Sequence, residues 1–181
     1  MLLITIKAGE YYDEQLCEFV KVKDTKLQLE HSLISLSKWE SKWCKPFLSE
    51  TPKTAEENVD YVRCMTINQN IDPNVYYGLT PAQIKEINDY INAPMTATWF
   101  SEDKKNAKKN KEVITNELIY YWMVALQIPF ECEKWHINRL LTLIRVCNVK
   151  NEPPKKMSQK DLLSRNRSLN AARRAKMGSR G

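Results

Sequence analysis

Thr25-Lys-Leu-Gln-Leu-Glu-His-Ser-Leu-Ile-Ser-Leu-Ser-Lys-Trp-Glu-Ser-Lys-Trp-Cys-Lys-Pro46 changes its hydrophobic period halfway along. Up to Leu29 apolar and polar residues alternate, as in a short strand with one buried face. From Ser32 the spacing lengthens: Leu33, Leu36, Trp39, Glu40 and Trp43 fall on one helical face, Lys38 and Lys42 point outward, and Pro46 stops the run. Strand patterns occur before this switch and helical ones after it, so the chain reads as α+β and predominantly α-helical.

Toward the N-terminus, Leu2, Ile4 and Ile6 alternate with Leu3, Thr5 and Lys7, and Leu16 to Val22 is a second run rich in β-formers. Ala8 to Gln15 reads as their connection, holding the only glycine before position 78. The expectation is a small N-terminal antiparallel β-hairpin or three-stranded sheet packed on a helical bundle, because an isolated hairpin is marginal in water.

Toward the C-terminus the helices announce their starts. Thr54-Ala-Glu-Glu57 has capping-box spacing ahead of Val59, Val62 and Met65. Asp72-Pro73 begins a turn or short helix. Thr80-Pro81-Ala-Gln83 combines a hydroxyl cap, a first-turn proline and an amide three residues on. Ile84, Ile87 and Ile91 then form the expected buried face, ended by Pro94. Val113–Leu126 and Trp135–Val149 are the most apolar helical stretches, with Ile114, Leu118, Tyr121, Trp122 and Ala125 inward on one and Ile137, Leu140, Leu141 and Ile144 on the other. Pro129 turns the chain between them, which predicts a central antiparallel helical hairpin and makes Trp122 and Leu141 the costliest side chains to truncate. Between Pro94 and Val113, Ser101 to Lys111 holds five lysines and no large apolar side chain, the mark of an exposed loop.

Composition narrows the function classes. With 181 residues and 43% apolar content the chain can build a core. No apolar run is long enough for a membrane span or a signal peptide. Cys17, Cys44, Cys64, Cys132 and Cys147 are odd in number and form no Cys-x-x-Cys pair, which suits a reducing cytoplasm and argues against a disulfide framework or zinc ribbon. Four glycines, two of them among the last four residues, leave no phosphate-binding loop or nucleophile elbow. Cys132 and His136 lie one helical turn apart, but two ligands do not make a zinc site, and a Cys-His nucleophile would lack an orienting third group. Trp39, Trp43, Trp99, Trp122 and Trp135 read as core, since their neighbours are Leu and Ile rather than interleaved cations. No catalytic, cofactor or metal residue is therefore assigned.

The charge is unevenly placed. Lys150 to Gly181 holds ten Lys or Arg against Glu152 and Asp161, whereas the preceding residues hold 18 basic and 20 acidic side chains. Pro153-Pro154 marks the boundary, giving a β-hairpin-plus-helix body over 1–149 and a basic arm over 150–181. Ser158-Gln-Lys-Asp161 has capping spacing, and Leu162, Leu163, Leu169, Ala172 and Met177 leave a sparse apolar stripe, so the arm is expected to become helical against a partner. The candidate partner-binding residues are Lys155, Lys156, Lys160, Arg165, Arg167, Arg173, Arg174 and Lys176. Nucleic acid and an acidic protein surface both fit them.

Leu27-Gln-Leu-Glu-His-Ser-Leu33 with Ser35-Leu-Ser-Lys-Trp-Glu-Ser-Lys-Trp43, Pro94-Met-Thr-Ala-Thr-Trp-Phe-Ser-Glu-Asp103, Ile119-Tyr-Tyr-Trp-Met123, Ile128-Pro-Phe-Glu-Cys132, Trp135-His-Ile-Asn-Arg-Leu-Leu141, Pro153-Pro-Lys-Lys-Met157 and Arg167-Ser-Leu-Asn-Ala-Ala-Arg-Arg174 together resemble a family encoded in the structural-gene modules of long-tailed double-stranded DNA bacteriophages. Within that family the chain is most similar to tail assembly chaperones. The resemblance implies a non-enzymatic protein of the host cytoplasm, without cofactors, that keeps the tape measure protein soluble and helps tail tube subunits gather on it; homo-oligomerisation is left open. The alternative it carries is a head, neck or connector component of the virion that contacts DNA through the basic arm.

Overall fold

The computed structural model describes residues 1–13, 17–100, 113–151 and 159–178. The lysine-rich stretch 101–111, the Pro-Pro boundary, and Lys155, Lys156 and Ser158 lie outside the described residues. The chain divides into two compact units, Met1–Asn148 and Val149–Gly181.

The first unit is α+β. Four strands, not three, open it: β1 (Leu2–Ile6), β2 (Gly9–Asp13), β3 (Glu18–Val22) and β4 (Thr25–Leu29). β1 pairs with β4 and β2 with β3, both antiparallel, as two two-stranded sheets. Their register is continuous, from Leu2 opposite Leu29 to Ile6 opposite Thr25, then from Gly9 opposite Val22 to Asp13 opposite Glu18. They are thus two halves of one long hairpin. The break falls where the Ala8 N–H leaves the ladder and donates to Asp24 Oδ1 at 2.7 Å. β2 escapes a reading by pattern because Gly-Glu-Tyr-Tyr-Asp has no apolar alternation; the partner strand, not its own side chains, makes it a strand. Alternation does decide the inner half: Ile4, Ile6, Leu27 and Leu29 are buried, whereas Leu3 is exposed.

Helix α1 (Leu33–Trp43) follows a capping box in which Ser32 and Ser35 exchange bonds with each other's backbone, and it ends on Cys44 in the left-handed conformation. α2 (Ala55–Met65) starts from the expected Thr54/Glu57 box and α3 (Pro81–Asn92) from Thr80/Gln83. The 3-10 helix Pro73–Gly78 lies between them, against β2 and β3. Gly78 is needed there, since a Cβ would stand 2.6 Å from Ile6 Cγ2. The residues after α2 run along β4, with Ile67 N–H donating to Gln28 O at 2.8 Å and Asn68 Oδ1 accepting from Gln28 N at 2.6 Å, so that edge is capped rather than open.

α4 (Asn116–Ala125), the 3-10 helix Phe130–Lys134 and α5 (Ile137–Asn151) complete this part of the chain. The centre of the core is not the expected α4–α5 hairpin. α1 is the hub, packing most closely on α2 and also on α4 and the second 3-10 helix. α4 is turned by about one residue from the expected phase: Ile119 and Met123 are buried, Leu118 and Trp122 half-buried, and Tyr121 and Ala125 exposed. Glu40 sets this phase. Its carboxylate is buried, accepting from Phe47 N at 2.7 Å, Asn116 N at 2.8 Å and Asn116 Nδ2 at 2.6 Å, so it fastens the start of α4 to α1. Two further carboxylates fasten α2 to α1 and to the residues just after it. Asp60 accepts from Lys42 Nζ at 2.5 Å and Trp43 Nε1 at 2.9 Å, and Glu57 accepts from Lys45 Nζ at 2.6 Å. The Lys45 ammonium, followed by the Thr54 backbone bond, holds the Glu57 carboxyl below its ordinary pKa.

The second unit holds the last residues of α5 and helix α6 (Gln159–Met177), and every described side chain of α6 from Leu163 to Met177 is exposed. Among the described residues, no helix is long and apolar enough to cross a membrane.

Candidate functional site

α3 is held at its ends. Near its N-terminus Gln83 Nε2 donates to Thr5 O at 2.8 Å. At its C-terminus the start of α5 collects the free carbonyls: Asn138 Nδ2 donates to Ile91 O at 3.0 Å and Ala93 O at 2.8 Å, and His136 Nε2 meets Tyr90 O at 3.0 Å. Between these anchors, its Ile84, Ile87 and Ile91 face meets Val59 and Val62 of α2 across a groove of about 670 Å³. Only Ile87 of that face is fully buried; Ile84 is 43% exposed and Ile91 partly buried, which corrects the expected buried face. Exposed carboxamides of Asn58, Asn88 and Asn92 line the rim.

The floor is polar beneath an aromatic layer. Phe47 stacks on Tyr61 with centroids 3.8 Å apart, and Lys53 Nζ sits 4.4 Å from the Phe47 centroid, where partial burial lowers its pKa and Glu57 opposes the shift. His31, at the wall, hydrogen-bonds through Nδ1 to the Tyr61 hydroxyl. Its ring lies 4.9 Å from that of His136, edge to face. Burial, then the neighbouring His136, holds the His31 pKa down to about 3. His136 is also lowered by burial, with its contact to the Tyr90 carbonyl acting against the shift. Since a carbonyl only accepts and an amide N–H only donates, the Tyr90 O contact and the bond from Asn138 N to His136 Nδ1 at 3.3 Å make His136 the neutral tautomer protonated at Nε2.

Both ring nitrogens of His136 are therefore engaged, and burial pushes the Cys132 thiol up. Neither residue of the Cys132–His136 spacing is poised as a nucleophile pair. Among the described residues, no group of three or more His, Cys, Asp and Glu side chains is arranged to hold a metal ion, and all five cysteines are free thiols. Chelator and reductant are accordingly expected to leave the calorimetric melting temperature unchanged; a fall of many degrees with either reagent contradicts this reading.

Of the basic residues singled out in sequence, Arg165, Arg167, Arg173, Arg174 and Lys176 lie on α6, exposed; Lys160 lies in its first turn, and Lys155 and Lys156 fall outside the described residues. The tryptophans divide. Trp39 is buried, while Trp43, Trp122 and Trp135 are half-buried. Trp99, at 93% exposure, is not a core residue. Periodicity misses the groove because isoleucines at α3 spacing look the same whether or not another element covers them. The signal available was Asn88 and Asn92, which fall beside Ile84 and Ile91 on the helix and interrupt an otherwise apolar face.

The chain matches no protein-family model, no curated protein and no solved structure.

Proposed function

We propose that this chain is a non-enzymatic assembly chaperone of a long-tailed phage, acting in the host cytoplasm and holding a helical segment of the tape measure protein in the groove between α2 and α3 while tail tube subunits gather. The observation that carries the reading is the groove itself, walled by two helices, apolar along Val59, Val62, Ile84, Ile87 and Ile91, and open enough to leave Ile84 43% exposed. An open trough of this kind suits a ridge of side chains spaced along a docked helix. Burying that ridge withdraws apolar surface from water on both partners and prevents the held segment from aggregating. The carboxamides of Asn58, Asn88 and Asn92 along the rim are placed to bond polar groups flanking such a ridge.

Co-expression with the tape measure protein of the same phage is expected to keep that protein soluble and to yield the two as a complex. Ile84→Glu combined with Ile91→Glu is expected to abolish capture while helical circular dichroism is retained, since neither side chain is fully buried. Precipitation of the tape measure protein beside the unaltered chain refutes the chaperone assignment. Undiminished capture by the folded double variant refutes the groove as its site.

A further inference from the structure

α6 runs for 19 residues and carries Lys160, Arg165, Arg167, Arg173, Arg174 and Lys176 against a single acidic residue, Asp161. At 3.6 residues per turn, these cations do not form one stripe. Arg167 and Arg174, seven apart, share one flank; Arg165 and Lys176, eleven apart, share another, roughly 160–200° round the axis from the first. Between these flanks, on one side, lie the small side chains Ser164, Ser168, Ala171 and Ala175, at spacings of four, three and four, on a helix phase that Asp161, seven residues before Ser168, also shares. On the other side are Leu163, Asn166, Leu169, Asn170, Met177 and Arg173, the last seven residues after Asn166. The side chains from Leu163 to Met177 are exposed.

A flat acidic protein surface can meet only one flank of such a helix and would leave the opposite cations unmatched. A partner that presents negative charge on both sides at once matches both flanks, with Arg173 facing away, and the major groove of duplex DNA does so. It is about 12 Å wide, bordered by phosphates, and admits one α-helix of about 10–12 Å diameter. The small face permits close approach to the groove floor while the two cationic flanks reach the bordering strands. We infer that α6 binds duplex DNA by entering the major groove with its Ser164–Ser168–Ala171–Ala175 side foremost, the arginines holding the phosphates and little sequence being read. Anchoring by charge also stabilises a helix that offers so little apolar surface. This inference is independent of the groove between α2 and α3.

The test uses the full chain and fluorescence anisotropy with a mixed-sequence 30-base-pair DNA duplex, a duplex RNA of the same sequence, and polyglutamate, over roughly 50–200 mM salt. DNA binding is expected in the micromolar range, with a slope of log association constant against log salt of about −4 to −5, as four to six phosphate contacts require. Arg167→Gln with Arg174→Gln, and separately Arg165→Gln with Lys176→Gln, are each expected to make that slope shallower by about 2. Ser168→Leu with Ala171→Leu keeps every charge and suits a helix, yet is expected to weaken DNA binding about tenfold by blocking close approach, whereas Asn166→Leu changes it less than twofold. RNA is expected to bind at least tenfold more weakly, its A-form major groove being too narrow for a helix. Equal effects of leucine on the two faces, binding to polyglutamate or duplex RNA as tight as to DNA, or no DNA binding at 50 mM salt would each overturn the inference. Because α6 is exposed throughout its described side chains, these variants leave the core of the first unit intact, and circular dichroism checks that they do.

Discussion

Trp39→Ala is expected to lower the calorimetric melting temperature by roughly 10–15 °C, the largest shift of any single substitution considered for this chain. The indole is 1% exposed at the hub helix α1, packs against Phe47 with ring centroids 5.1 Å apart, and donates from Nε1 to Glu57 O at 2.9 Å. Truncation removes three contributions at once. The transfer and cavity terms for a fully buried tryptophan come to about 3–5 kcal/mol, and the Glu57 carbonyl loses its side-chain donor, adding about 1 kcal/mol. Against a total stability of about 5–15 kcal/mol for a domain, that is a large fraction. Trp99→Ala, at a position 93% exposed, is expected to change the melting temperature by a degree or less, with half-buried Trp122→Ala between the two. If all three variants melt together, α1 is not the hub of the core.

Acid is expected to unfold the protein from about pH 6.5 downward, and the two histidines are the cause. They are the only histidines in the chain, and both are buried beside one another, His31 at the wall of the groove. Groups around them come from several elements: the Glu30 carboxylate, bonded at 2.7 Å by the Tyr90 hydroxyl and at 2.8 Å by the Met1 ammonium, and the hydroxyls of Tyr61 and Ser35. Folding depresses both pKa values, so the neutral rings favour the native state and the unfolded chain binds more protons in acid. The stability they contribute is complete above the unfolded pKa of about 6.5 and is lost as the pH falls toward the folded values. The slope approaches about 1.4 kcal/mol per pH unit for His31, and His136 adds to it with the same sign. Glu57, whose folded pKa is depressed, adds a loss of the same sign only as the pH drops through the carboxylate range, so pH 5–6.5 isolates the histidines. Urea titrations across that interval read the slope directly, and His31→Gln, which keeps an acceptor within reach of the Tyr61 hydroxyl, is expected to make it shallower by about 1 kcal/mol per pH unit. A flat profile from pH 6.5 to 5 shows that the imidazoles do not stay neutral in the fold.

That pair also shows where reading along the chain stops. His31 ends a strand pattern, and His136 follows a proline turn more than a hundred residues later. Each alone looks like an ordinary boundary residue. The Ile137 N–H to His31 O bond, 2.7 Å, brings the two segments together, and no local pattern encodes a contact at that separation. Glu40 is a comparable case. Its place on the apolar face of α1 was visible, but not that Phe47 and Asn116 would bring the donors that make burial tolerable.

Local chemistry determined the strand-to-helix switch at Ser32, the caps at Thr54 and Thr80, the inward set Ile4, Ile6, Leu27, Leu29, Leu33 and Leu36, and the concentration of positive charge beyond Lys150, because each depends on residues within a few positions of one another. Tertiary structure alone decided that Gly9–Asp13 is a strand, that α1 is the hub, that α4 turns Ile119 and Met123 inward, and that the isoleucines of α3 wall an open groove. The physical reason is common to all four. Periodicity states which side of an element is apolar, whereas burial depends on which distant element arrives to cover that side, and here the long hairpin, the Glu40 bonds and the ties at the two ends of α3 make that choice.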